Sequence, residues 1–231
     1  MFKKIVKVSS SLIELLIYKF FNLVLIREMK LLNRPRMFNI IKTEFPWDFV
    51  RYSSLELVAY ELNANKIEGN LAEVGVYKGE FASKINRCFP DRKLYLFDTF
   101  EGLPEQDLKR DKIYKLIHSK RTFIHPDINT VLSKMKYPEK CEIRKGYFPD
   151  TLNNLEDKFS FVSLDADLFN PIYNGLQYFY PRLSKGGFIF VHDYNNYKFG
   201  GSKDAVRKYC KENKINFFPL SDINGSAIII K

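Results

Sequence analysis

The sequence has only three cysteines, Cys88, Cys141 and Cys210, and no CxxC pair among them. An odd, widely spaced set excludes a disulfide framework and a zinc site, and it fits a reducing compartment. Cys88 and Cys210 fall on apolar helix faces and read as small buried hydrophobes. The G-x-G-x-x-G fingerprint is missing, which disfavours NAD, and there is no G-x-x-x-x-G-K-[ST] P-loop. No run of five or six like charges occurs, although 37 Lys and Arg against 27 Asp and Glu leave a formal charge of +10. Scattered lysines without a recognition motif describe a solvated basic surface and give no reason to expect nucleic acid. No internal repeat or low-complexity tract interrupts the chain.

Long apolar runs are also lacking. The most apolar stretch, "LIELLIYKFFNLVLI" at residues 12 to 26, holds Glu14 and Lys19. It is short for a membrane span, which needs about 20 residues, and no small-residue cleavage site follows it. With the basic "MFKKIVK" ahead of it, it reads as an amphipathic helix. Such a helix can pack on a second subunit as a homodimer, cover a substrate cleft, or lie peripherally on an anionic membrane surface. The expected organisation is an N-terminal helical extension over residues 1-45 and one domain over residues 46-231, in a cytoplasmic protein.

What is present from residue 50 onward is alternation. "SSLELVAYELNAN" carries Leu55, Val58, Ala59 and Leu62 at helical spacing, with Ser53 and Glu56 at capping-box spacing. Seven strands follow: "NLAEVG", "KLYLFD", "CEIRKG", "FSFVSLD", "FIFVHD", "INFFPL" and "SAIIIK", the last two forming a hairpin-like end. Helices are expected at "EFASKINRCF", at 129 to 136, after an Asn170-Pro171 start, and at 203 to 213. Lys185-Gly186-Gly187 would end the helix that Asn170 opens. The segment 101 to 128 is charged and irregular, like an insertion or cap. The order predicts an α/β fold, a mostly parallel seven-stranded sheet with helices on both faces. Sites in such sheets lie at the carboxyl ends of the strands.

Those ends carry polar residues and glycines. Glu73-x-Gly75-x-x-x-Gly79 leads from the first strand into a helix. Gly75 permits close approach to the backbone, the helix start offers amides to a carboxylate, and Glu73 can accept from an ammonium group. An amino-acid head group has both charges, so the loop suits the methionine end of S-adenosylmethionine; a tight βα turn needs the same residues. Asp98, with Thr99 beside it, ends the second strand, where an acid can hold ribose hydroxyls or cap a turn. Gly146 and Tyr147 would edge an adenine. Asp165 ends the fourth strand, and His192 and Asp193 end the fifth. Two carboxylates and an imidazole on neighbouring strands make a site for Mg²⁺ or a similar divalent ion, beside which a hydroxyl loses its proton more readily. The bland alternatives are a satisfied polar histidine and an Asx turn at Asp193. Asp167 fits a loop cap as well as it fits chemistry.

"AEVGVYKGEFA", "FPDRKLYLFDTFEGLP", "KGYFPDTL", "FVSLDADLFNPIYNGLQYFYPRLSKGGFIFVHDY" and "GSAIIIK" together resemble the macrocin O-methyltransferase family, over about Arg51 to Lys231. The resemblance implies a class I methyltransferase, Rossmann-like fold, S-adenosylmethionine as donor, a divalent metal that is usually Mg²⁺, and a hydroxyl acceptor, often on a sugar. It implies that Asp165 is a metal ligand and general base, with His192 and Asp193 completing the metal set. The family usually has Asp or Glu where this chain has His192. An imidazole suits Mn²⁺, Fe²⁺ or Zn²⁺ better than Mg²⁺, or else His192 leaves the ligand set and serves as the base. Besides a metal-free enzyme, the sequence admits a domain that binds a nucleoside or partner and does no chemistry.

Overall fold

A computed structural model describes residues 48–111, 127–196 and 200–231. The extension over residues 1-45 and most of the charged segment 101 to 128 lie outside these described residues. Seven strands form one sheet: β1 (Asn70–Val74), β2 (Leu94–Asp98), β3 (Cys141–Lys145), β4 (Phe159–Leu164), β5 (Leu183–Val191), β6 (Phe218–Leu220) and β7 (Ser226–Ile230). Their order across the sheet is β3-β2-β1-β4-β5-β7-β6. The first five are mutually parallel; β7 runs antiparallel to both β5 and β6. The mostly parallel α/β sheet and the terminal hairpin are therefore as the alternation predicts.

Strand alternation divides the core into two layers. Leu71, Leu94, Leu96, Phe161 and Phe190 face helices α1 (Phe49–Ala64) and α2 (Glu80–Cys88). Their strand neighbours Ala72, Tyr95, Phe97, Val162 and Ile189 face α5 (Phe169–Arg182) and α6 (Gly201–Asn213). Val206, Tyr209 and Cys210 turn inward from α6, as their spacing requires. Two short helices, α3 (Glu105–Arg110) and α4 (Ile128–Leu132), lie between β2 and β3. Among the described residues no helix is long and apolar enough to cross a membrane.

Local signals were outcompeted at several boundaries. Helix α1 starts at Phe49, so Ser53 lies inside it and its hydroxyl donates back to the Val50 carbonyl rather than capping; Glu56 is buried. Helix α5 starts at Phe169, one residue before Asn170, whose amide is used elsewhere. It ends at Arg182, and Lys185-Gly186-Gly187 belongs to β5. A Cβ on Gly187 would come within 2.9 Å of the Ser160 carbonyl, so this glycine serves close strand packing and not a helix stop.

Register matters most for function. Val74 pairs with both Phe97 and Leu164, and Leu164 pairs with Val191. The residues just beyond these pairs, Gly75, Asp98, Asp165 and His192, therefore stand in one row at the carboxyl edge. The row spans β1 and β4, where strand order reverses and a crevice opens.

Phe179 is fully buried against the rings of Phe97, Phe148, Phe159 and Tyr178, at centroid distances of 4.9 to 6.2 Å. Phe179→Ala should cost about 3–5 kcal/mol of stability, read as a lowered midpoint in urea unfolding.

Candidate active site

The row of strand ends collects charge. Asp165 Oδ1 lies 3.1 Å from His192 Nδ1, and the same nitrogen lies 3.2 Å from Asp193 Oδ2. Asp165 Oδ2 takes a 2.7 Å ion pair from Arg51 Nη2. Arg51 projects from α1, is buried, and lays its guanidinium 3.8 Å over the Phe81 ring. The Asx turn considered for Asp193 is replaced by a backbone turn, the Asn196 amide donating to the Asp193 carbonyl at 3.2 Å, while Asp193 Oδ1 accepts from Asn196 Nδ2 at 3.0 Å and leaves Oδ2 for the histidine. Asp167 and Asp193 both sit in the left-handed backbone region, at φ 58 and 55, a strain that non-glycine residues hold where surroundings enforce it.

Electrostatics follow from this packing. Burial alone would raise the Asp165 pKa, but Arg51 and His192 outweigh it and hold the carboxyl well below the usual range. Burial would lower His192, but Asp165 above all raises it, to about 10. Without a bound ion the imidazole is thus charged at neutral pH and is no base. Burial, with Asp165 nearby, pushes Glu73 up. Burial and a hydrogen bond to Asp193 do the same for Asp167.

The three expected ligands fit a divalent ion. One donor atom from each of Asp165, His192 and Asp193 falls within 4.8 Å of the others. Separations of 3.1 and 3.2 Å match the roughly 3 Å between adjacent ligands around an ion with bonds of about 2.1 Å. Asp48, His192 and Asp222 meet the same distance limit.

A second group of expected residues lines a neighbouring cleft. Gly75, Asp98, Thr99, Gly146 and Tyr147 all contribute to it. Asp98 Oδ2 accepts from the amides of Val76 and Tyr77 at 2.8 and 3.0 Å, and its Oδ1 from Phe100 at 2.8 Å. It thereby straps the β1 loop to β2. Thr99 donates to the Gly102 carbonyl and accepts from the Glu101 amide, making a tight turn. Glu73 and Gly79 stand apart from this cleft. Glu73 is 1% exposed and lines the neighbouring acidic cleft with Arg51, Asp165 and His192. Gly79 precedes α2 at φ 77, where a Cβ would come within 2.9 Å of Val131.

Sequence reasoning did not single out Arg51 or Asp107. Arg51 precedes Leu55 by one helical turn on the buried stripe of α1, so a charge out of pattern was the available signal. Asp107, on α3, had none. Gly75 was noted, but its need for glycine is mainly internal: a Cβ there would lie 2.1 Å from the Asp165 carbonyl oxygen.

A sequence model of the macrocin-O-methyltransferase (TylF) family matches residues 49–231. The chain belongs to that family. It is an S-adenosylmethionine-dependent O-methyltransferase. The 8-demethyl-8-(2,3-dimethoxy-alpha-L-rhamnosyl)-tetracenomycin-C 4'-O-methyltransferase of Streptomyces olivaceus is 26% identical over 190 residues, 77% of this chain and 71% of the relative. The demethyldecarbamoylnovobiocin O-methyltransferase of Streptomyces niveus is 24% identical over 171 residues, 69% of this chain and 64% of the relative. Among solved structures, the O-methyltransferase NovP superposes with a TM-score of 0.68 at 22% identity, covering 78% of this chain and 79% of that one. The calicheamicin methyltransferase CalS11 gives 0.63 at 16%, covering 90% and 98%. These structural likenesses establish the Rossmann-like class I fold of the macrocin-O-methyltransferase domain.

Gly75→Ala should destabilise the enzyme by about 2–3 kcal/mol, since both its φ of +85 and the Asp165 backbone oppose a side chain. Gly200→Ala, with nothing among the described residues within 4 Å and φ −71, is the control and should stay within about 0.5 kcal/mol. Denaturant unfolding of both variants tests this.

Proposed function

We propose that this enzyme moves the methyl group of S-adenosylmethionine to a hydroxyl of a sugar, a glycan precursor or a sugar-bearing secondary metabolite, with a divalent ion held by Asp165, His192 and Asp193. One observation carries the reading: Gly75, Tyr77, Asp165 and Asp167 line both the cleft along Asp98 and Tyr147 and the acidic cleft beside it. A donor with its methionine end at Gly75, ribose at Asp98 and Thr99, and base at Gly146 and Tyr147 holds its sulfonium at this common wall. An acceptor hydroxyl in the acidic cleft then faces the methyl group. Glu73, buried under the loop with its Oε2 unpartnered, is assigned to the donor's ammonium group, and Gly79 to the loop's turn into α2. The acceptor class is supported by the relative from Streptomyces olivaceus, whose name describes a rhamnosyl-bearing tetracenomycin.

In the transfer, the O–CH₃ bond forms as the S–CH₃ bond breaks, the electron pair stays on sulfur, and the hydroxyl proton passes to a carboxylate. Holding the two reactants across one wall supplies much of the rate. A divalent ion, when bound, supplies Lewis acidity that eases loss of the hydroxyl proton. His192 among its ligands shifts the preference from Mg²⁺ toward Mn²⁺, Fe²⁺ or Zn²⁺. Asp165 was expected to be the base as well as a ligand. With both oxygens engaged by cations and its pKa held down, it is the weaker candidate. Asp167, at the same wall, is the alternative acceptor once it is ionised, although burial and Asp193 raise its pKa. In the same reading the enzyme acts in the cytoplasm as a homodimer.

A metal-free reading has one observation behind it: Arg51 and a charged His192 already balance Asp165 and Asp193. Chelation with add-back separates the two. Asp165→Ala should abolish turnover and Mn²⁺ binding while leaving donor affinity near wild type. Asp167→Asn should lower kcat by about 10²–10⁴-fold yet retain Mn²⁺ binding. Because His192 must lose its proton to ligate, calorimetry in buffers of different ionisation enthalpy should show about one proton released per Mn²⁺. Full activity in Asp165→Ala, or turnover untouched by chelation, would remove the ion from the mechanism.

A further inference from the structure

Helix α3 brings Asp107 to the wall of the donor cleft, beside Tyr147 and the end of β3. Asp107 is 1% exposed. Its two carboxylate oxygens are treated unequally. Oδ1 accepts from Asn170 Nδ2 at 2.6 Å and from the Tyr147 hydroxyl at 3.1 Å. Oδ2 is buried and has no hydrogen-bond partner. A stranded oxygen of this kind is destabilising, and burial pushes the Asp107 pKa up. The α3 N-cap is Pro104, so Asp107 caps nothing at that helix start. Nothing in the packing calls for a second acceptor at this place.

The cleft offers a reason. It extends from Gly75 after β1, past Asp98 after β2, to Gly146 and Tyr147 after β3. A donor laid along it puts its amino-acid end at β1 and its base at β3, so the base meets Asp107. There adenine presents one N–H donor group, the exocyclic 6-amino group. Resting on the donor placement above, we infer that Asp107 Oδ2 accepts a hydrogen bond from the donor's 6-amino group and makes the enzyme select an amino-purine over an oxo-purine. Asn170 and Tyr147 act as positioning residues that hold the other oxygen and aim this one.

Substitution by asparagine makes a directional test. In Asp107→Asn the carboxamide oxygen stays toward the two donors, Asn170 and Tyr147. The amide nitrogen takes the place of Oδ2 and presents N–H to the cleft. A site built to accept a hydrogen bond then offers one instead, which suits a carbonyl at position 6. The experiment is calorimetric binding of S-adenosylhomocysteine and S-inosylhomocysteine to the full-length wild type, Asp107→Ala and Asp107→Asn. Wild type should favour the adenosyl compound by at least about tenfold, the discrimination of one good base contact. The ratio should fall near one in Asp107→Ala and invert in Asp107→Asn. An unchanged ratio in both variants overturns the inference while leaving the donor placement standing. No binding of S-adenosylhomocysteine to wild type removes both. If neither variant folds, the wild-type ratio decides alone: equal affinities overturn the inference.

Discussion

At the centre of the sheet Gly75 lies against the Asp165 backbone, closer than any side chain permits. That contact joins the loop after β1 to the loop after β4, across the point where strand order reverses. Everything functional is arranged around it. On one side stands the cleft bounded by Asp98 and Tyr147; on the other stands the acidic cleft with His192 and Asp193. A parallel register that keeps Val74, Phe97, Leu164 and Val191 level delivers the four following residues to the same height. A one-residue slip in any of these strands would also turn its core side chains to the wrong face, so burial on both faces protects the site geometry.

The acidic cleft is a balance of charges rather than a collection of acids. Removing either partner of a buried pair leaves an uncompensated charge, which is far more costly than the pair is stabilising. Arg51 therefore has a place in the fold as well as in the site: it anchors the first turn of α1 to Asp165 while packing on Phe81. The same balance explains how a histidine is accommodated between Asp165 and Asp193. Charged, it neutralises part of the two carboxylates' charge.

Much of this was legible from residue types and spacing, and the reasons are physical. Parallel strands buried on both faces leave continuous apolar runs, so "FVSLD" and "FIFVHD" announce both the strands and their polar ends. Adjacent parallel strands bring those ends together, so the convergence of Asp165, His192 and Asp193 followed from the order alone. Helix boundaries were less legible, because Ser53 and Asn170 are local signals and the packing of Tyr52 and Phe169 extends each helix past them. Arg51 and Asp107 depend on contacts with residues 114 and 63 positions away; a charge on a buried helical stripe hints at the first, and nothing local marks the second. The glycines were visible but their reasons were not: Gly75 and Gly187 answer to neighbouring backbone, which only the folded sheet supplies.

Asp98 binds the amides of Val76 and Tyr77 while forming the floor of one cleft, and Tyr77 is a wall of the other. The two clefts thus share a loop whose position one carboxylate holds. Losing that carboxylate would release the β1 loop on which both clefts are built.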